Sequence, residues 1–136
     1  MESDLRDIED IYEKSNDALS LDVPAGFFSK DKTNFSSYTV SHCRNKVFEE
    51  NGSVLGVISY SNDYIEGLFV LPECWGRGIG SALLESAAED EKKLRLQVYA
   101  GNGRALGFYK KHGFKVVGSG RCQMTGLDYF EMEKTE

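Results

Sequence analysis

Apolar residues Leu5, Ile8, Ile11, Tyr12 and Leu19 recur at intervals close to three and four, the spacing that lines one face of a helix. Behind Ser3 or Asp4 as N-cap, this predicts a helix over about residues 4–19, broken by Asp22-Val-Pro-Ala-Gly26. Residues 27–45 follow no single period, and Phe27, Phe28, Phe35 and Tyr38 are read as core cover or pocket lining. Strand patterning then takes over. Val47–Glu50 and Val54–Tyr60 flank Asn51-Gly52, the pair a type I′ hairpin turn prefers. Ser61-Asn62-Asp63 turns the chain again into a third strand, Tyr64–Val70, which Pro72 ends.

The second half alternates elements. Ala82, Leu83, Leu84, Ala87 and Ala88 mark a helix with a small-residue apolar face, and Leu94, Leu96 and Val98 alternate as a strand. Asn102 caps a further helix through Ala105, Phe108 and Tyr109, stopped by His112-Gly113. Phe114–Val117 and Tyr129–Glu133 supply two closing strands. Strands that come first as a meander and then alternate with helices predict an α/β (α+β) fold with a mixed, mostly antiparallel central sheet flanked by helices.

A length of 136 residues fits one domain, 1–136. With 16 Lys and Arg against 22 Asp and Glu, the net charge of −6 disfavours nucleic acid as a partner. No apolar run approaches the roughly 20 residues of a membrane span, and the polar, acidic N-terminus does not resemble a signal peptide. Cys43, Cys74 and Cys122 are odd in number and scattered, so neither a disulfide framework nor a metal site is expected. A soluble, cytoplasmic protein follows as the expectation.

Charge is distributed unevenly. Glu2, Asp4, Asp7, Glu9, Asp10, Glu13, Asp17 and Asp22 crowd the first 22 residues, whereas no acid occurs between Lys92 and Leu127. That basic stretch holds Lys92, Lys93, Arg95, Arg104, Lys110, Lys111, Lys115 and Arg121. Each half reads either as a solvated face or as the side of a site, acidic for a cationic ligand and basic for a phosphate.

Between the third strand and the next helix lies Cys74-Trp-Gly-Arg-Gly-Ile-Gly-Ser81. Glycines admit close backbone approach, and helix N-terminal N–H groups attract phosphate, although the same turn also serves as a plain tight connection. A dinucleotide fingerprint fails because Ser81 stands where its third glycine belongs, and no Gly-Lys-Ser/Thr tripeptide exists for a P-loop.

The run Ile65–Leu84, and further along the chain Val98-Tyr-Ala-Gly-Asn-Gly-Arg-Ala-Leu-Gly-Phe-Tyr-Lys-Lys-His-Gly-Phe114, resemble the two central motifs of the GNAT superfamily of acetyl-CoA-dependent N-acyltransferases. The resemblance covers about residues 47–134. It implies residues 1–45 on the acceptor side, 46–91 as the cofactor motif and 92–136 as the C-terminal half. It also implies that the family's fourth and fifth strands, here Tyr64–Val70 and the strand of Leu94, Leu96 and Val98, splay apart. The family's opening strand is short or missing here, because helix periodicity begins by Leu5. Such a missing edge leaves unpaired backbone groups, which makes a homodimer an expectation.

By the same resemblance, the backbone of Leu68, Phe69 and Val70 receives the acetyl and pantetheine groups. The amides of Gly76, Arg77, Gly78, Ile79, Gly80 and Ser81 cradle the pyrophosphate, and Asn102 contacts the pantetheine arm. Tyr109 matches the family's general acid. A strand N–H facing a developing oxyanion is worth about 3–4 kcal/mol. A phenol of pKa about 10 can reprotonate a leaving thiolate of pKa about 8.5. Competing readings are a helix cap for Asn102, core cover for Tyr109 and a surface guanidinium for Arg77. Trp75 departs from the Gln or Arg that many relatives carry.

Direct transfer needs a neutral amine, hence a base. Gln97 stands where ribosomal-protein N-terminal acetyltransferases carry a Glu and cannot serve; Glu66 is the candidate, against an exposed strand carboxylate. Strand alternation places Glu66 on the side of Leu68 and Val70. The implied reaction is acetyl transfer from acetyl-CoA, with no metal, to a primary amine. The acidic N-terminal half points to a small cationic acceptor. Acetylation of a protein N-terminus or lysine, and acetyl-CoA binding without turnover, are the alternatives.

Overall fold

In the computed structural model, which describes residues 2–19, 21, 23 and 26–135, Val57, Ile58, Leu94, Leu96 and Met132 are fully or almost fully buried and define a central sheet. The order along the chain is α1 (Glu2–Asp17), α2 (Phe27–His42), β1 (Arg44–Glu50), β2 (Ser53–Ser61) and β3 (Tyr64–Val70). A 3-10 turn (Pro72–Cys74) leads to α3 (Ile79–Asp90), β4 (Lys93–Tyr99), α4 (Gly103–Lys111), β5 (Lys115–Arg121) and β6 (Asp128–Thr135). The six strands lie in the order β1-β2-β3-β4-β6-β5, antiparallel except where β3 meets β4. The mixed, mostly antiparallel sheet predicted from the sequence is therefore what forms.

Both meander turns owe their shape to left-handed residues. Asn51 and Gly52 both have positive φ (53° and 82°), as a type I′ turn requires, and Asn62 repeats the device at 53°. At the N-terminus the prediction needs correction. α1 already includes Glu2, so Ser3 and Asp4 lie within the helix rather than capping it, and it ends at Asp17 rather than residue 19. Glu2 and Ser3 therefore form no first strand. Most of the predicted breaker at 22–26 lies outside the described residues. β1 stands at one edge of the sheet, where charged Arg44, Lys46, Glu49 and Glu50 and a bulge at Phe48–Glu49 blunt it against further pairing.

α2 occupies the stretch without a clear period. Its inward face includes Ser36 and Thr39, both wholly buried, which breaks the apolar rhythm. These hydroxyls are satisfied locally: Ser36 Oγ donates to Glu9 Oε2 on α1 (2.7 Å) and Thr39 Oγ1 to the Ser36 carbonyl (3.3 Å). Beside them Tyr12 stacks on Phe35 at 4.5 Å and meets Phe28 and Phe69 edge-on, tying α1 and α2 to β3.

The opposite face carries the larger core. Ile58, Tyr60 and Ile65 pack there with Leu83 and Leu84 of α3, Tyr109 of α4 and Leu94, Leu96 and Met132. At the end of α3, the Asp90 carboxylate receives the Tyr60 hydroxyl, Arg44 Nη1 (2.8 Å) and Lys46 Nζ (3.1 Å). Carboxylates disfavour a helix C-terminus, and these donors offset that cost. They also hold the Asp90 carboxyl well below the ordinary carboxylate range, the Tyr60 hydroxyl foremost and then Lys46 and Arg44.

A carboxyl with a lowered native pKa stabilises the fold above the pKa of the unfolded chain, and that contribution fades as the pH falls toward the native value. Asp90→Asn should therefore lower the melting temperature at pH 7. Its deficit relative to wild type should narrow in scans at about pH 3, below the ordinary Asp pKa of roughly 3.9. An equal deficit at both pH values would contradict this account.

Candidate active site

The site begins where the sheet fails to close. β3 and β4 share one register pair, Tyr64 with Arg95, reinforced by the Arg95 N–H donating to the Asp63 carbonyl at 2.7 Å. Past that point the strands diverge. The register of β2 and β3 shows why. Ser59 pairs with Gly67 and Tyr60 with Ile65, leaving Glu66 without a partner on β2. Such a bulge bends and twists its strand, here as β3 leaves β4.

The bulge also corrects the side assigned to Glu66. Leu68 and Val70 pack with the α3 and α4 core, whereas Gly67 abuts Phe35 of α2. Glu66 is the leading cause of the raised pKa of Tyr38 on α2, and after burial it contributes to that of the Cys43 thiol. Its carboxylate thus lies toward α2 rather than beside Leu68 and Val70. Half-buried in the cleft, Glu66 has its own pKa raised by desolvation.

The gap opens into a cavity of about 990 Å³ that runs from the aromatic cluster of α1 and α2 to the N-termini of α3 and α4. Among the described residues that line it, Glu66 is the one carboxylate. Among the described residues, none of the N-terminal acids lines it: Asp10 and Asp17 are exposed, Glu9 accepts from Ser36, and Glu13 pairs with Lys32 at 2.9 Å. Basic Arg104 and Lys111 do line the cavity, at its α4 end.

The glycine turn ends in a cradle. Gly76 and Gly78 have φ of 85° and 82°, values that glycine adopts without strain. Gly78 is the N-cap of α3 and offers no side-chain acceptor, so the first N–H groups of the helix remain without an intrahelical or capping partner. Gly76, Gly78, Ile79, Gly80 and Ser81 all line the cavity. Arg77 does not, and its guanidinium instead holds Glu50 Oε2 at 2.6 Å. What Arg77 can offer a ligand is its backbone.

Leu68, Phe69, Val70 and Asn102 reach the cavity as expected. Asn102 Oδ1 accepts from the Ala105 N–H at 3.1 Å, so the capping role is real, and its amide nitrogen keeps both donors for a ligand. Tyr109 is buried, and burial pushes its phenol well above the ordinary value, keeping it protonated at neutral pH. None of the hydrogen bonds among the described residues involves its hydroxyl. Two contacts escaped the sequence reading. Trp75 Nε1–H donates to the Val70 carbonyl at 2.9 Å, and the Arg104 guanidinium lies 4.2 Å from the Trp75 ring centre, so the two rims touch.

Residues 41–116 match the model of the acetyltransferase (GNAT) domain. The chain belongs to the GNAT family. Among curated proteins it is similar to the peptidyl-lysine N-acetyltransferase YiaC of Escherichia coli, 35% identical over 79 residues (57% of this chain, 54% of that one). It is equally similar to the peptidyl-lysine N-acetyltransferase YjaB of the same organism, 35% identical over 80 residues (59% and 54%). The chain thus spans about half the length of the curated relatives it matches. Its fold superimposes on that of apo YjaB with a TM-score of 0.82 at 24% identity, covering 96% of this chain and 90% of that one. It superimposes equally on the PaiA N-acetyltransferase of Thermoplasma acidophilum in complex with coenzyme A, at 0.82 and 21% identity (98% and 94%). The GNAT splay is thus present here as the pair β3 and β4.

Left-handed geometry rather than crowding fixes the cradle glycines, because a Cβ at Gly78 would meet nothing within 4 Å. Gly78→Ala should cost about 1–2 kcal/mol of unfolding free energy, measured by urea denaturation. A neutral result would mean that the turn tolerates another backbone path.

Proposed function

We propose that this chain transfers an acetyl group from acetyl-CoA to a primary amine by direct attack in a ternary complex. The observation that carries this reading is one cavity joining a parted strand pair, an uncapped helix N-terminus, a protonated buried phenol and a desolvated carboxylate. The pyrophosphate would lie on the amides from Gly76 to Ser81, where unmet N–H groups and the α3 dipole favour negative charge. The pantetheine arm would run along Leu68, Phe69 and Val70 as an added strand, close to Asn102. Because the Trp75 indole holds the Val70 carbonyl, an arm that pairs with that carbonyl displaces the indole.

Glu66 would take a proton from the incoming ammonium, directly or through a water. Desolvation lifts its basicity and narrows the gap to the amine. The amine would then attack the thioester carbonyl while a β3 N–H steadies the oxyanion. As the carbon–sulfur bond breaks, Tyr109 would give its phenolic proton to the departing thiolate and be reprotonated by the second proton that the nitrogen sheds on becoming a neutral amide.

For the acceptor, the cleft favours a lysine side chain over a compact polycation. Tyr12, Phe35, Tyr64 and Tyr99 offer flat apolar and π surface for an alkyl stem and its ammonium, with the single carboxylate of Glu66 among the described lining residues. The likeness to peptidyl-lysine N-acetyltransferases supports this choice. A small cationic amine is the second reading, favoured by the aromatic rings of Tyr12, Phe35, Tyr64 and Tyr99 along the cavity.

Thiol release measured with lysine peptides and with a polyamine separates the acceptors: turnover is expected with peptides, and turnover of the polyamine alone would sink the lysine reading. Acetyl-CoA binding without thiol release against any amine would instead favour a non-catalytic module. Tyr109→Phe should lower kcat by about a hundredfold with little change in the KM for acetyl-CoA. Since burial raises the Glu66 carboxyl, activity should fall on acidification with a midpoint above 4.5. Glu66→Gln should lower kcat and abolish that acid limb in the pH–rate profile.

A further inference from the structure

Ser81 is the third residue of α3, and its side chain shares the cradle with the helix N–H groups. Its Oγ lies 3.0 Å from Nε2 of His112, the residue that caps the far end of α4. The imidazole rests against Phe108 at 4.6 Å, so a packed ring rather than a free surface side chain reaches the hydroxyl.

We propose that His112 is a positioning residue for the cofactor's pyrophosphate, acting through the Ser81 hydroxyl. The inference rests on the acetyl-CoA reading above. A hydroxyl has one proton to give. When Nε2 is bare, that proton goes to the ring and the cavity meets only oxygen lone pairs, which repel phosphate. When Nε2 carries a proton, it donates to Oγ, and the hydroxyl proton is free for a phosphate oxygen. A bound pyrophosphate therefore selects a ring that carries a proton at Nε2, as the neutral Nε2–H tautomer or as the imidazolium, and the positive charge of the imidazolium favours that second form beside an anion.

The groups around the ring set its resting state. Burial lowers the His112 pKa, and Lys134 on β6 and Lys111 on α4 lower it further, while Glu85 on α3 opposes them. The unliganded ring is thus harder to protonate than an ordinary imidazole, and protonation is left for the phosphate to recruit. Linkage makes the effect reciprocal: acidification tightens phosphate binding, and phosphate binding raises the His112 pKa.

The chain has two histidines, so ring proton resonances of His112 can be followed with His42 as an internal control. The probe is 3′-dephospho-CoA, whose pyrophosphate keeps a constant charge between pH 5.5 and 8. In the wild-type protein its binding should raise the His112 midpoint by about one unit. Calorimetry should show binding tightening by up to about tenfold from pH 8 to pH 5.5. His112→Gln, whose amide donates to the same oxygen but does not titrate in this range, should lose that pH dependence. Saturable binding with an unmoved His112 midpoint, or with the same pH dependence in His112→Gln, would overturn the role of His112 and leave the cofactor reading standing. Absence of saturable binding at both pH values would overturn the cofactor reading and this inference with it.

Discussion

The parting of β3 from β4 is the constraint on which the rest of the molecule depends. A single extra residue, Glu66, interrupts the β2–β3 register, and parallel pairing stops after Tyr64 and Arg95. A break in the middle of a sheet exposes backbone groups, which is costly unless something else can pair with them. The core holds the two halves together regardless. Ile58, Tyr60 and Ile65 from one half pack against Leu94, Leu96, Met132 and Tyr109 from the other, beneath the gap. Side chains thus bridge what the backbone leaves open, and the gap becomes a site.

The site's chemistry follows from its two walls. On the α3 and α4 side are uncapped helix N–H groups, glycines in left-handed conformation and basic residues, a setting for anions. On the α1 and α2 side are aromatic rings and, among the described residues, one carboxylate, a setting for a cationic alkyl group. The bulge puts Glu66 on that second wall, so the same backbone irregularity that opens the sheet also aims the carboxylate. Burial acts on Glu66 and Tyr109 in one direction, holding the proton more tightly on each. In the carboxylate this raises basicity, and in the phenol it preserves the acid form.

Elements governed by local rules were legible in the sequence. The turn chemistry of Asn51-Gly52, the alternation Leu94–Leu96–Val98 and the Asn102 cap needed no tertiary information, and the glycine motif marked the cradle. α2 was hidden because Ser36 and Thr39 occupy inward positions and are satisfied by α1 and by their own helix, a solution written in contacts rather than in periodicity. The side taken by Glu66 was misread because alternation assumes an unbroken register, and Gly67 inside the strand pattern, the one mark of the bulge, was not used. Where the acids of the N-terminal run go was not legible for a related reason. Composition counts charges, but Glu9 and Glu13 are spent on Ser36 and Lys32, away from the cavity. Likewise, Trp75 and Arg104 meet only because the glycine turn and the first turn of α4 converge in space.

The gap between β3 and β4 also separates position in the fold from protection. In an ordinary sheet the innermost strands carry the amides slowest to exchange with solvent, since opening them requires global unfolding. Here the facing rims of two central strands border a cavity, so without a ligand their inward amides exchange without any unfolding step, while amides of the same strands directed at β2 and β6 stay protected. Each strand then alternates fast and slow amides residue by residue, and that pattern would trace the open seam of the sheet along the backbone.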